Sequence, residues 1–419
     1  MSSFHSVTLD PSKCKGCINC VKRCPTEAIR VKNGKAMIIS DRCIDCGECI
    51  RICPNHAKKA VYDKMSVLDN YEYKVALPAP SLYPQFNNLE NIEYVLQGLK
   101  MIGFDDVFEV AAAAEIVSEI SRRKMRDNTD KRPVISNACP AIMKLVKVRF
   151  PKLLPLMHDV MAPVDVAAKL ARAKAVKETG LPPEKIGVFF ISPCPAKVTA
   201  LHNPNSNEKL VDGVLAMKDV YMQLLPAMKK ISIPAVEQKS GLTGMSWSYT
   251  GGEATSLLVP KYLAADGIEN AIKILDEIEN DKLNDIDFVE LNACFSGCVG
   301  GCLTVENPYV AIVKVRSLRK YRPVSSTRLS EFPEFDISDF IGEPEVEYNH
   351  VMELADDPKK AMEIMLKIDE IEEKLPGIDC ASCGSPSCAC FAQDVALGKS
   401  KLSDCVFVMK KELREILSD

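Results

Sequence analysis

The feature that most constrains this chain is a cysteine spacing that occurs twice near its start. Cys14-x2-Cys17-x2-Cys20-x3-Cys24-Pro25 is followed by Cys43-x2-Cys46-x2-Cys49-x3-Cys53-Pro54. A segment this short, with thiols where apolar side chains would stand, is held together largely by whatever the thiolates bind. The whole chain carries 18 cysteines in 419 residues. Its opening, MSSFHSVTLD, lacks the charged-then-apolar pattern of an export signal. In a reducing cytosol such cysteines stay thiols rather than disulfides. Clustered thiolates bind soft metals, above all zinc and iron–sulfur clusters. The histidines (His5, His56, His158, His202 and His350) lie outside the cysteine clusters, so thiolate alone is expected to build the metal centres.

Other classes of function are disfavoured. With 53 basic and 57 acidic residues the formal charge is −4, and no basic stripe or tail marks a nucleic-acid surface. No apolar run reaches the roughly 18 residues of a membrane span. The expectation is a soluble, cytoplasmic protein without nucleic-acid or membrane partners. The length predicts two to four domains.

The doubled spacing is that of the bacterial two-cluster ferredoxins, in which the fourth cysteine of each run ligates the other cluster. That resemblance implies one 4Fe–4S cluster on Cys14, Cys17, Cys20 and Cys53, and a second on Cys43, Cys46, Cys49 and Cys24, in a domain over residues 1–62. A pair of zinc knuckles is the alternative. Near the other end, Cys380-x2-Cys383-Gly384-x3-Cys388 is followed by Cys405, with Ala392 and Gly398 between. This resembles the small helical iron–sulfur domain of electron-transfer subunits and corrinoid iron–sulfur proteins. It implies a third 4Fe–4S cluster on Cys380, Cys383, Cys388 and Cys405, within residues 346–419. Four thiolates also suit zinc, and Cys390 does not fit the pattern. Tyr321 to His350, with Pro323, Pro333 and Pro344, reads as a linker. Ala361–Leu375 reads as a helix stopped by Pro376-Gly377.

Between these ends, strand-like and helix-like segments alternate: a strand over Lys74–Leu77, a helix over Ile92–Ile102, a strand over Asp106–Val110 and an Ala-rich helix over Ala112–Arg123. Three apolar runs then end in cysteine: Pro133 to Cys139, Ile186 to Cys194, and Ile286 to Cys294. Alternation of this kind predicts an α/β fold with a parallel sheet covered on both faces. Ligands bind beyond the carboxyl ends of such strands, so three strands ending in cysteine are expected to converge on one site.

The surroundings of these cysteines carry a second resemblance. Asn137-Ala138-Cys139-Pro140, Ser192-Pro193-Cys194-Pro195-Ala196-Lys197 and Ala293-Cys294-x3-Cys298-x-Gly300-Gly301 occur in that order. They resemble the three cluster-binding motifs of the FeFe (iron-only) hydrogenases. Ile102–Phe108 and Thr250-Gly251-Gly252-Glu253-Ala254 resemble two further segments of that family. The resemblance implies a two-lobed hydrogenase domain over residues 63–345 with the site between its lobes. It implies a cubane on Cys139, Cys194, Cys294 and Cys298, with Cys298 also bridging to a diiron unit bearing carbonyl, cyanide and a dithiolate bridge. Lys197 would hydrogen-bond a cyanide, as a cationic donor suits an anionic ligand; a solvated surface lysine is the alternative. Pro80 and Pro163 fall where the family approaches the diiron unit. Trp247 stands where the family has an aromatic near it, or is a core tryptophan. Cys302, in the Gly-rich turn, is expected to be buried and structural.

The chain also departs from the family. Ala138 stands where turnover-optimised members have a proton-passing cysteine, and Ala200 where they have a glutamate in the proton path. Val164 replaces a glutamine, and Ser192 and Asn292 replace methionines. Proton transfer needs acids and bases within hydrogen-bond reach. These departures are similar to those of the sensory hydrogenases. They imply a hydrogen-sensing protein of slow turnover, with hydrogen and protons as substrates. Its partners would be maturation proteins and a redox or signalling protein, with a homodimer left open. The rival readings are a metabolic ferredoxin-linked hydrogenase, and a non-enzymatic iron–sulfur assembly or electron-transfer protein without a diiron unit.

Iron analysis checks the inventory. Four cubanes and a diiron unit amount to eighteen irons on sixteen cysteines, which leaves Cys302 and Cys390 over. Cys405→Ala should lose one cubane's worth of iron, whereas Cys302→Ala and Cys390→Ala should lose none.

Overall fold

The computed structural model describes residues 4–127, 131–203, 209–342, 351, 353–355 and 357–418. The chain forms two compact units: Val7–Ala60 with Tyr348–Asp419, and Met1–Ser6 with Val61–Glu347. It is α/β, with a ferredoxin-like segment, a parallel-sheet region and a C-terminal helical segment.

In the first unit the doubled motif folds around two antiparallel strand pairs. β1 (Val7–Leu9) pairs with β4 (Lys58–Ala60), and β2 (Ile29–Lys32) forms a hairpin with β3 (Lys35–Ile38). Asn33 and Gly34 turn that hairpin with φ of 50° and 69°, the conformation a two-residue I′ turn requires. Cys14, Cys20, Val21, Ile29, Ala36 and Ala57 form the buried core, with Cys24, Cys49 and Cys53 packed against it. Thiols occupy the space that aliphatic side chains fill in larger domains.

The C-terminal segment belongs to the same unit. Its helices are Pro358–Glu372, Cys388–Ala396 and Val406–Ser418. The first starts earlier than the expected Ala361, because the Asp357 carboxylate accepts from the Lys359 and Lys360 amides and caps it. It also stops at Glu372, short of Leu375. Contacts of Arg30 and Val31 lock this segment to the ferredoxin hairpin. Arg30 Nε donates to Asp394 Oδ2 at 2.6 Å, and another guanidinium nitrogen donates to Cys390 Sγ at 2.6 Å. The Val31 amide donates to Gly384 O at 2.9 Å. Gly384 has φ +86°, and a Cβ there would lie 2.0 Å from Val31 O. Cys390, the cysteine outside the ligand pattern, is thus a buried packing residue under Arg30.

Among the described residues the second unit contains seven strands: β5 (Tyr73–Pro78), β6 (Asp106–Val107), β7 (Val134–Ile135), β8 (Ile186–Ser192), β9 (Gly213–Ala216), β10 (Tyr262–Asp266) and β11 (Phe288–Asn292). They make two parallel sheets, ordered β6-β5-β8-β9 and β10-β11-β7. The alternation predicted one sheet; the three cysteine-terminated strands are divided, β8 in one sheet and β7 and β11 in the other. All seven residues of β8 are buried, as a parallel strand covered on both faces requires.

Two further expectations are corrected. The strand expected over Asp106–Val110 ends at Val107, and Val110 begins the helix Val110–Asp127. The expected linker from Tyr321 is packed structure up to residue 342. The Leu242 and Thr243 amides donate to Pro323 O and Val324 O at 2.8 and 2.9 Å. The buried Glu115 carboxylate accepts from the Ser326 and Thr327 amides at 2.8 Å, and Phe340 is fully buried. Pro and Ser mark irregular backbone, and here a buried carboxylate satisfies its amides. The remainder of that stretch, 343–350, lies outside the described residues.

The Arg30–Asp394 pair yields a prediction, since its side chains are only 4% and 9% exposed. Asp394→Ala leaves a guanidinium buried without its carboxylate, which costs about 3–5 kcal/mol. Hydrogen exchange of the 380–396 amides should accelerate accordingly, while the parallel sheets of the other unit keep their protection.

Candidate metal centres

Each ferredoxin repeat delivers its fourth cysteine to the other's group. The Cys14, Cys17 and Cys53 thiols act electrostatically on Cys20. Cys24, Cys43, Cys46 and Cys49 line a common cavity. The repeat shows in the hydrogen bonds as well: the Ala28 amide donates to Cys24 Sγ and the Ala57 amide to Cys53 Sγ, both at 3.2 Å. Burial, joined by the neighbouring thiols, pushes the Cys46 and Cys49 thiols well up. A metal cluster binding there must displace these protons.

In the C-terminal segment Cys380, Cys383, Cys388 and Cys405 line one cavity. Asp379 and Ala381 adopt φ of 48° and 58°, curling the loop. Asp379 then accepts from the Cys388 amide at 2.6 Å. Ser387 Oγ caps the following helix by accepting from the Cys390 amide.

The central cysteines sit where strands end. Cys139 follows β7 and precedes the helix Pro140–Arg149, and Cys194 follows β8 and precedes Pro195–His202. Each helix opens on proline, whose missing N–H would be unpaired there in any case. Cys294 follows β11, and Cys298 lies in the 3₁₀ turn Gly297–Gly300. Although they come from two sheets, the four converge. Cys294 and Cys298 act on the Cys194 thiol, and Cys139 and Cys294 act on that of Cys298. Burial is the larger cause in both; it pushes Cys298 up to about 12, against the pull of Lys197.

Glycine permits this approach. A Cβ at Gly301 would lie 2.2 Å from Pro193 O, the residue before Cys194, and one at Gly300 would lie 2.0 Å from Phe295 O. Gly297, at φ +78°, runs against the Tyr249-Thr250 backbone. The Leu303 amide donates to Pro193 O at 2.9 Å and ties the Gly-rich turn to the Cys194 loop. Ser192 Oγ donates to Cys194 O at 2.9 Å, so the serine that replaces a methionine braces the loop.

Lys197 is half-buried. Its Nζ donates to Ala138 O at 3.0 Å, and its charge acts on Cys194, Cys298, Asp165 and Glu253. It is therefore not a solvated surface lysine. Pro163 is buried at the start of the helix Pro163–Thr179. Two residues on, burial pushes Asp165 up to about 6 against the pull of Lys197. Pro80 is buried at the start of the 3₁₀ turn Pro80–Gln85. Gln85 Oε1 accepts there from the Val305 and Glu306 amides at 2.8 Å. Ala138 and Ala200 are half-buried, and Ala200 lies on the Lys197 helix. Trp247 is half-buried, and its Nε1 donates to Ser118 Oγ at 3.0 Å. Cys302 is half-buried rather than buried.

The motif reading passed over a buried acid pair. Ser136 Oγ donates to Glu253 Oε2 at 2.6 Å, and the Ala138 amide donates to Ser136 Oγ at 3.2 Å. Burial, reinforced by Glu290, pushes Glu253 up to about 8. Glu290 accepts from the Gly251 and Ala254 amides at 3.0 and 2.9 Å and from Asn292 Nδ2 at 2.9 Å. The available signal was a glutamate inside the apolar strand Phe288–Asn292.

The donor set fits a cluster. Four thiols from three loops face one another beside a cation, and the hydroxyl of Thr250, against the Gly297 turn, is buried with no hydrogen-bond partner among the described residues.

Residues 72–252 and 226–302 match the family model of the iron-only hydrogenase large subunit, C-terminal domain. Taken together these matches cover more than half of the chain, which belongs to that family. Residues 6–54 match a 4Fe-4S dicluster domain, and 375–407 an Fe-S cluster domain. Among curated proteins, the chain is 27% identical over 108 residues to the NADP-reducing hydrogenase subunit HndD of Solidesulfovibrio fructosivorans, covering 24% of this chain and 18% of that protein. It is 22% identical over 126 residues to the cytosolic Fe-S cluster assembly factor NAR1 of Saccharomyces cerevisiae, covering 30% of this chain and 26% of that protein. These matches span well under two thirds of either relative. Among solved structures, a variant of the FeFe-hydrogenase HydA1 from Chlamydomonas reinhardtii aligns with TM-score 0.48 and 15% identity, over 64% of this chain and 91% of that one.

The Gly301–Pro193 contact is directly testable. Gly301→Ala must push the Gly-rich turn away from the Cys194 loop, because backbone cannot yield as a side chain can. Iron analysis and electron paramagnetic resonance should show loss of the central cluster with the ferredoxin and C-terminal signals retained.

Proposed function

We propose that this protein is a hydrogen-sensing FeFe-hydrogenase of slow turnover. In this reading Cys139, Cys194, Cys294 and Cys298 hold a cubane, and Cys298 also carries a diiron unit with carbonyl, cyanide and dithiolate ligands. Cys14, Cys17, Cys20 and Cys53 hold one ferredoxin cluster, and Cys24, Cys43, Cys46 and Cys49 the other. Cys380, Cys383, Cys388 and Cys405 hold the last. When bound, the six-iron centre supplies the redox chemistry that interconverts hydrogen with protons and electrons. Lys197 would present a cation to an anionic ligand, its Nζ braced by Ala138 O. The carrying observation is the convergence of four cysteines from two sheets beside Lys197, with alanine at positions 138 and 200.

The chain's own groups explain the slow rate. A methyl at 138 and another at 200 cannot hold a proton. The acid the site does contain is elsewhere: Glu253, hydrogen-bonded to Ser136, keeps its proton near neutral pH because of its burial and its proximity to Glu290. A carboxylic acid of that kind holds a proton behind the first cysteine loop and passes it slowly. Electrons leave through the accessory clusters to a redox or signalling partner in the cytoplasm, after maturation proteins have built the site. The likeness to a cluster assembly factor supports a rival in which cubanes are present without a diiron unit. Lys197, placed against Ala138 O and acting on two of the four cysteines, favours the hydrogen-activating reading.

Hydrogen turnover by the matured protein tests this. Each missing relay group costs a factor of about 10²–10⁴, so the rate should fall far below that of a metabolic hydrogenase while hydrogen still changes the redox state. Ala138→Cys with Ala200→Glu together should raise the rate more than either substitution alone. A wild-type rate equal to that of metabolic enzymes would contradict the sensor reading.

A further inference from the structure

The internal repeat of the ferredoxin segment is broken at one buried position. Cys24-Pro25-Thr26-Glu27-Ala28-Ile29 corresponds to Cys53-Pro54-Asn55-His56-Ala57-Lys58. The backbones match closely. Glu27 and His56 have φ of 52° and 49°, and the Ala28 and Ala57 amides bond to Cys24 and Cys53 at the same distance. Ile29 opens β2 and Lys58 opens β4. Each is 3% exposed. A lysine therefore occupies the site where the other half of the repeat buries an isoleucine.

Its ammonium has no hydrogen-bond partner among the described residues. A buried cation without an ion pair costs several kcal/mol, a cost that a nearby anion offsets. The anionic candidates on hand are thiolates: the charge of Lys58 acts on Cys20 and Cys53 of the first ligand group and on Cys49 of the second. Cluster potentials respond to local charge, to hydrogen bonds on sulfur and to burial.

We infer that Lys58 is a buried positive charge set between the two ferredoxin clusters, which stabilises their reduced states and raises both reduction potentials. Each reduction adds one electron, hence one negative charge, to a cluster beside a fixed cation. The two halves of a symmetric ferredoxin thereby become a shared electron sink. This inference rests on the proposed ferredoxin ligand sets and is independent of the hydrogen-activating centre.

Redox titration of the matured full-length protein, followed by electron paramagnetic resonance, tests it. Lys58→Met keeps the length of the side chain and removes the charge. The reduction equilibria of both ferredoxin clusters should shift at least tenfold toward the oxidised form, about 59 mV for a one-electron couple. The C-terminal cluster should not move. Lys58→Arg should stay close to the unsubstituted protein. Unshifted potentials in a Lys58→Met protein with its full iron content would overturn the inference. If Lys58→Met loses ferredoxin iron, Lys58→Arg decides: retention at unshifted potentials supports a role for charge, and loss in both variants refutes it. A ferredoxin segment that holds no iron even without substitution would sink the ligand assignment instead.

Discussion

The fold depends on bringing thiols closer together than their chemistry tolerates unaided. Buried thiols resist ionisation, and once ionised they repel. Cys46, Cys194 and Cys298 are all pushed upward, burial first and neighbouring thiols also contributing. The architecture meets that constraint with backbone. Strand ends place Cys139, Cys194 and Cys294, and the Gly-rich turn lies so close to the Cys194 loop that a Cβ at Gly301 would not fit. A soft metal cluster neutralises the arrangement, and in a ferredoxin segment whose core is partly sulfur it supplies much of the stability.

What could be read from the sequence was what is local or periodic. Cysteine spacing marked the two ferredoxin runs and the C-terminal group, because residues on one loop keep fixed offsets, whereas the central four were marked by a resemblance to family motifs. Apolar runs ending in cysteine located β7, β8 and β11. Pairings between distant segments left no such trace. The division of those strands between two sheets depends on which strands pair, and each run is equally apolar in either arrangement. The stretch after Tyr321 looked like a linker because its prolines and serines are turn formers; the glutamate that anchors it, Glu115, lies some two hundred residues earlier in an Ala-rich helix. Cys390 fitted no motif because its partner, Arg30, is at the other end of the chain. Glu253 was in plain sight in a quoted motif, yet only its burial against Ser136 and Glu290 gives it chemistry.

The two units divide the chemistry. One carries the central cysteines, Lys197 and the buried acids. The other gathers the ferredoxin repeat and the C-terminal cysteines around the Arg30–Asp394 pair. Under the proposed function, a site with alanine at positions 138 and 200 beside the converged cysteines suits reporting a redox state better than rapid turnover. Lys58, buried where the repeat predicts an isoleucine, is consistent with accessory clusters that retain electrons.

The proposed function requires that the converged cysteines and Lys197 hold a diiron unit rather than a cubane alone. Infrared spectroscopy of the matured protein, with and without hydrogen, reads this directly, because carbonyl and cyanide stretches have no counterpart in protein or in cubanes. With the diiron unit in place, both sets of bands appear and shift when hydrogen is admitted. Their absence from a protein with all its cubanes in place would contradict the proposed function and favour a role in cluster assembly or electron transfer.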